Sequence, residues 1–233
     1  MKLLAFELST EACSVAVHVD GQVLERFDVA PRQHAALGLP WAEALLAEAG
    51  IARSQLDAIA LGRGPGAFTG VRLAIAMAQG IALALDRPLL PVSTLQALAL
   101  RAPAGAETVL AAIDARMGEV YVARYQRVDG LPVLQDRERV CPPEAVVLPD
   151  GLACAGVGSG FAAGQGAIVQ RLGPALVSVD AGALPRASDV LTLAVPAFQR
   201  GEGIAPERVE PAYLRDNVAL TLVEQQALRA AKG

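Results

Sequence analysis

Apolar and polar positions follow one rhythm twice along this chain. Lys2–Leu8 is a short apolar run, which predicts a buried strand. Cys13–Asp20 alternates, the pair Asp20-Gly21 marks a hairpin, and Gln22–Val29 completes a three-strand meander. Leu37, Trp41 and Leu45 recur at helical spacing between His34 and Ala49, with Gly50 as a stop. Pro40 inside that span implies either a kink or a short turn before a helix that begins at Pro40. Asp57–Leu61 reads as a strand, Gly70–Leu85 as a helix and Pro88–Val92 as a strand. Ser93 then caps a helix through Arg101.

The run Ala102-Pro103-Ala104-Gly105 punctuates the chain, and the order then repeats. Thr108–Asp114, Glu119–Gln126 and Leu131–Val140 predict three strands, with Asp129-Gly130 as a turn. Pro142–Leu148 predicts a short helix, Gly151–Val157 a strand, Gly158–Leu172 a weak helix or loop, and Ala175–Val179 a strand. Ser188 is the expected cap of a helix to about Arg200, and a final helix is expected over Asn217–Lys232. A duplicated β-β-β-α-β-α-β-α order predicts an α/β protein of two tandem domains, residues 1–103 and 104–233. Each is expected to be a mixed sheet with helices on its faces, and the last helix to pack back on the first domain. This is the architecture of the actin, hexokinase and sugar-kinase group, the actin-like or ribonuclease-H-like fold, in which two halves enclose a cleft.

The stretch from Leu61 to Arg72 carries Gly62, Gly64, Gly66 and Gly70 between a strand and a helix. Thr69 is the expected N-cap. The turn supports two readings: an anion site at a helix N-terminus, or a tight turn that feeds a buried helix. It is neither the Walker pattern nor the dinucleotide fingerprint. The helix after it has no charged residue over Leu73–Leu85, a run too short for a bilayer that needs about 20 residues. Such a helix has to be covered on nearly all sides. Ala74, Ala78 and Ala82, four apart, would admit a second helix closely, so a partner chain is one candidate cover.

Composition narrows the function. The chain of 233 residues is 53% hydrophobic and carries a net charge of −4, which argues against a free-standing nucleic-acid binder. Cys13, Cys141 and Cys154 form no CxxC pair, as expected of thiols in a reducing cytosol. The N-terminus reads as a strand and not as a signal peptide, so the expectation is a cytoplasmic protein without a membrane span. In a duplicated cleft fold, the first strand of each half ends at the cleft. Those ends carry Glu7-Leu8-Ser9-Thr10 and Asp114-Ala115-Arg116. Ser9, Thr10, Gly64, Gly66, Thr69, Asp114 and Arg116 are therefore candidate nucleotide or anion ligands. Glu7 is equally well read as a strand-end acid satisfied by backbone donors. Gly156-Val157-Gly158-Ser159-Gly160 is a second glycine turn, ordinary as a loop. His34 has Gly38 at i+4 where a metal site wants a second ligand, so no metal site is expected.

Three motifs resemble one family: Thr10-Glu11-Ala12-Cys13-Ser14-Val15-Ala16 within Glu7–Val17; Gly62–Arg72 with Gln79-Gly80; and Asp114-Ala115-Arg116-Met117-Gly118-Glu119-Val120-Tyr121. They are similar to those of the TsaB (YeaZ) family of bacterial tRNA threonylcarbamoyladenosine biosynthesis proteins, with a weaker echo at Glu210–Arg215. The resemblance implies an actin-like fold and a non-catalytic role beside a related catalytic subunit, TsaD, and the ATPase TsaE. It implies no cofactor for this chain itself, ATP being used by the partner ATPase, and contact with tRNA only through the complex. It also implies a partner surface, or a homodimer surface in the partner's absence, on the first two helices. Here that surface maps onto His34, Leu37, Trp41, Leu45, Arg72, Ala74, Met77, Ala78 and Ile81. In the catalytic relative two histidines four apart hold the metal; here His34 stands alone.

Overall fold

The computed structural model describes residues 1–215, and the last expected helix, 217–232, lies outside them. β1 (Lys2–Glu7), β2 (Ala12–Val19) and β3 (Gln22–Val29) form an antiparallel meander. α1 (His34–Glu48) then leads to β4 (Ala58–Gly62), α2 (Phe68–Leu85), β5 (Leu89–Val92) and α3 (Thr94–Ala99). β4 lies parallel to both β1 and β5, so the first sheet runs β3-β2-β1-β4-β5. The second half begins with β6 (Thr108–Arg116), β7 (Glu119–Val128), β8 (Leu131–Leu134) and β9 (Arg139–Cys141). β10 (Cys154–Val157), α4 (Ala167–Leu172), β11 (Leu176–Asp180) and α5 (Ala187–Gln199) follow. Its sheet runs β11-β10-β6-β7-β8. With β6 matched to β1, and β10 and β11 to β4 and β5, the two strand orders are the same.

Alternation along the first sheet decides what each face packs. Leu4, Phe6, Leu8, Ile59 and Leu61 join one cluster with residues of α1 and α2. Leu3, Ala5, Ala58 and Ala60 point the other way and join Ala187, Val190, Leu191 and Ala194 of α5. Small alanines on that face let the helix lie close. α3 in turn packs Leu95, Leu98 and Ala99 against Val109, Ala111 and Ile113 of β6. The halves thus exchange their closing helices: α3 covers the second sheet, and α5 covers the first.

Several local expectations change. α1 is one helix from His34 with Pro40 inside it, and does not begin at Pro40. The N-cap of α2 is Ala67, so Thr69 lies inside the first turn and caps nothing. Ser93 does cap α3, accepting the N–H of Gln96 at 3.2 Å. Ser188 does not cap α5; the N-cap is Arg186, whose N–H is taken by Asp189 at 3.0 Å. Two further N–H groups of that helix end, Ala187 and Ser188, donate to Ser14 Oγ and Glu25 Oε1 of the first sheet. The strand expected over 131–140 is two strands that share one edge of β7. They are interrupted by polar residues, among which Asp136 pairs with Arg124 and Glu138 accepts from Tyr125. The helix expected over 142–148 is a single turn, Pro143–Ala145.

Among the described residues, α2 alone is long and apolar enough to cross a membrane, being 18 residues against the uncharged run of 13 read from sequence. Its alanine stripe answers what it is for. Ala74, Ala78 and Ala82 are fully buried against the chain's own sheet, so the stripe that was expected to receive a second helix seats α2 on β4.

Candidate functional site

The glycine turn between β4 and α2 is a seat. A Cβ on Gly66 would stand 2.3 Å from the carbonyl oxygen of Ser9, and one on Gly70 would stand 2.0 Å from that of Leu8. The Ala67 N–H donates to Ser9 O at 2.7 Å. Only a bare backbone fits there, and the turn clamps the start of α2 onto the end of β1. Gly62 serves a different neighbour, because a Cβ there would meet Glu7 Oε2 at 1.9 Å.

Beside this seat a cleft of about 990 Å³ opens between the two halves. It gathers Ser9, Thr10, Gly66 and Thr69 from the first half with Asp114 and Arg116 from the second; Gly64 does not line it. Asp114 and Arg116 are engaged with each other. Asp114 Oδ1 accepts the Arg116 N–H at 2.7 Å, and Oδ2 lies 3.1 Å from its guanidinium. Arg116 and Met117 both adopt positive φ, so the β6–β7 hairpin is a strained tip at the cleft's edge. The segment 210–215 crosses the opening. Its Ala212 N–H donates to Arg63 O at 2.9 Å, and its Tyr213 hydroxyl meets the Arg72 guanidinium. Arg215 pairs with Glu119 at 2.5 Å. Sequence reading found the echo at Glu210–Arg215 but no signal that it bridges the cleft.

Glu7 lies outside the cleft. It is buried, accepts the Ser9 N–H at 2.8 Å, and sits 3.2 Å from Thr94 Oγ1. Burial, partly offset by the donors of Ser9 and Thr94, pushes its carboxyl above the usual range. Such a group holds its own strand end and is not aimed at a ligand. His34 lines the rim, but Nε2 lies 3.0 and 3.1 Å from the carbonyl oxygens of Thr10 and Ala12, so it carries the proton and ties α1 to the first hairpin. Among the described residues no three His, Cys, Asp or Glu side chains come together as metal ligands would. The thiols of Cys13 and Cys154 are pushed up to about 11 by burial, and Cys141 is raised by the same cause. None is poised as a nucleophile.

The second glycine turn is also a seat. A Cβ on Gly158 or Gly160 would stand 2.3 Å from Ala112 O or 2.6 Å from Ala112 Cβ. Ser159 Oγ receives the Asp114 N–H at 3.1 Å.

The expected partner surface divides when placed on the structure. Leu45, Ala74 and Ala78 belong to the chain's own core and present nothing to a partner. Leu37, Trp41, Met77 and Ile81 are half-buried over that core, and His34 and Arg72 stand at the cleft. What α1 and α2 leave open is a neighbouring set: Leu39 and Pro40 on α1, and Ala76, Gly80, Leu83 and Ala84 on α2. Leu83 is 65% exposed. The two helices approach closely at Gly38, where a Cβ would meet Met77 Sδ at 2.9 Å.

Two mixed sheets of like strand order, with a cleft between them and exchanged closing helices, define an α/β protein of duplicated design. Residues 28–222 match the family model described as TsaD, tRNA N6-adenosine threonylcarbamoyltransferase. The chain is 42% identical over 231 residues to tRNA threonylcarbamoyladenosine biosynthesis protein TsaB of Escherichia coli (strain K12), covering 94% of this chain and 96% of that one. It is 40% identical to the Haemophilus influenzae protein of the same name, covering 94% and 95%. The solved structure of YeaZ from Pseudomonas aeruginosa is 50% identical with a TM-score of 0.85, covering 91% of this chain and 99% of that one. A second Pseudomonas aeruginosa structure, of an uncharacterized protein described as similar to peptidase YEAZ, has the same identity and a TM-score of 0.86, covering 92% and 99%. This chain belongs to the TsaB (YeaZ) family.

Proposed function

We propose that this chain is a non-catalytic scaffold subunit in tRNA threonylcarbamoyladenosine biosynthesis. It pairs with a TsaD-like catalytic subunit and a TsaE-like ATPase. The complex transfers a threonylcarbamoyl group to the adenosine next to the anticodon of tRNAs that read codons starting with A. One observation carries the scaffold role: α1 and α2 expose the apolar residues Leu39, Pro40, Ala76, Gly80, Leu83 and Ala84, of which Leu39, Gly80 and Ala84 line one shallow groove, while their other sides pack in the chain's own core. An open apolar face of this kind favours a protein partner. The TsaB name of relatives at 42% and 40% identity supports the pathway. Alone, the chain would cover the face with a second copy. The test is co-purification with a TsaD-like partner, followed by reconstituted tRNA modification with and without this chain. A chain that neither co-elutes nor supports modification overturns the reading.

A second reading, an autonomous nucleotide-dependent enzyme, is favoured by the cleft that brings Ser9, Thr10, Thr69, Asp114 and Arg116 together. Titration calorimetry with magnesium-ATP on the isolated chain separates the two. No heat of binding at millimolar ligand excludes the enzyme.

A further inference from the structure

The chain has five Phe, three Tyr and one Trp, all within the described residues. Phe68 and Tyr213 are the exposed ones, at 66% and 60%. Both stand at the mouth of the cleft, and both face one guanidinium. Arg72 lies 3.2 Å from the Phe68 ring centroid and 5.2 Å from that of Tyr213. Arg72 has no carboxylate partner among the described residues, so its charge is held by π faces. A third aromatic, the half-buried Tyr121, lines the same opening.

The charge around this stack runs against that of the whole chain. The protein carries −4, yet the cleft is lined by Arg32, Arg72, Arg116 and Arg215 against Glu11 and Asp114, with Glu119 beside Arg215, which leaves one positive charge in excess. Exposed aromatic faces interleaved with arginines, in an open groove with an excess of positive charge, is the chemistry that receives unpaired bases and their phosphates. A protein partner would favour a broad aliphatic face, and that face lies farther along α2. A duplex would require a flat basic stripe, whereas these arginines line a groove.

We propose that the mouth of the cleft binds a segment of single-stranded RNA directly. A base stacks on the Phe68–Arg72–Tyr213 assembly, and the adjoining phosphates reach Arg32 and Arg116. This goes beyond the scaffold reading and rests on it only for the expectation that RNA is at hand. Tyr213 arrives on the segment that crosses the cleft, so the site exists only when that segment is docked through Arg215 and Glu119.

The experiment is a fluorescence-anisotropy titration of the full-length chain with a labelled single-stranded RNA of about eight nucleotides at low salt. Wild type is expected to bind with affinity that falls steeply with salt. Phe68→Ala and Tyr213→Ala are each expected to weaken binding about tenfold, while Phe68→Trp keeps it. Arg116→Ala is expected to weaken binding a few-fold and to lower the salt slope by about one. Unchanged melting temperatures exclude misfolding as the cause. Absence of binding by wild type, equal binding by the Phe68→Ala/Tyr213→Ala double variant, or equal affinity for adenosine monophosphate overturns the proposal. Co-elution with a TsaD-like partner is scored on the same proteins. A chain that co-elutes but binds no RNA loses this site and keeps its scaffold role; a chain that binds RNA but does not co-elute does the reverse.

Discussion

The two halves of the molecule share one plan and use it differently. In each, the fourth strand of the plan ends in a glycine turn that is pressed onto the first. Gly66 and Gly70 sit on the end of β1, and Gly158 and Gly160 sit on Ala112 of β6. In the first half the turn leads into α2, 18 residues long, and α1 lies beside it. In the second half it leads into single turns and the six-residue α4. The strand-end acids diverge as well. Glu7 is buried and satisfied by its own half, whereas Asp114 opens onto the cleft and is held by Arg116. The shared part is what the fold needs in order to close. The part that differs, a helix pair with an open apolar face and a basic cleft mouth, is where the two proposals place binding.

The largest expected effect breaks the shared part. Gly70→Ala would place a Cβ 2.0 Å from a backbone oxygen, with no flexible side chain to yield. It is expected to cost more than about 3 kcal/mol in urea denaturation, or to prevent folding. Gly80→Ala on the same helix meets open space and is expected to stabilise by about 0.5–1 kcal/mol. Similar costs at the two positions would sink the seat explanation.

Next in size is the offered face. Gly80→Arg is expected to weaken self-association or partner binding about a hundredfold without destabilising the monomer, since arginine, like alanine, forms helix better than glycine. An unchanged dissociation constant in analytical ultracentrifugation would remove this face from the interface. Ala78→Arg makes the contrast, because Ala78 is in the core and the variant is expected not to fold.

A smaller effect sharpens the exchange of closing helices. Asp189 of α5 is buried under the first sheet, and burial, partly offset by Arg101, pushes its carboxyl from 3.8 up to about 6. The folded state therefore keeps a proton that the unfolded state releases at lower pH. Stability is expected to fall as pH rises from about 4 to 6, by on the order of 2 kcal/mol. Glu7, also raised by burial, works in the same direction. Asp189→Asn is expected to flatten that part of a denaturation-against-pH series. A curve parallel to wild type would show that Asp189 does not titrate there.

The smallest effect concerns the segment that crosses the cleft. Glu119→Gln removes one partly buried ion pair with Arg215 and is expected to cost on the order of 1 kcal/mol of stability. Faster hydrogen exchange at the β6–β7 hairpin is the sensitive readout. Unchanged exchange would mean that Arg215 does not hold the hairpin.

Much of this was legible before the structure. Short apolar runs and a few alternating ones placed nine strands close to where they lie; Leu3-Leu4-Ala5-Phe6 is apolar throughout because its sheet carries a helix on each face. Asp20-Gly21 and Asp129-Gly130 marked their hairpins through the positive φ that both adopt. Cap residues were harder to read, because Thr69 and Ser188 have the right chemistry one or two positions inside the helix. The broken strand at 135–138 was hidden, because its polar residues find partners far away in sequence, such as Arg124 and Tyr125. Of the candidates read from the strand ends and the glycine turn, Ser9, Thr10, Gly66, Thr69, Asp114 and Arg116 line one cleft, and Gly64 does not. Tyr213 and Phe68 were missed because neither has a local pattern.

By itself the sequence determined the repeated succession of strands along the chain, the glycine turns and the uncharged helix, since each depends on spacing within a few turns of chain. Tertiary structure alone decided which side of that helix is core and which is open. Its alanines and its larger apolar residues are equally hydrophobic in sequence, and only the position of β4 tells Ala78 from Leu83. It also decided that the glycine turn is a seat for α2. The carbonyl oxygens that exclude a Cβ at Gly66 and Gly70 come from Leu8 and Ser9, some 60 residues earlier in the chain, and only folding brings them within 3 Å of where it would be.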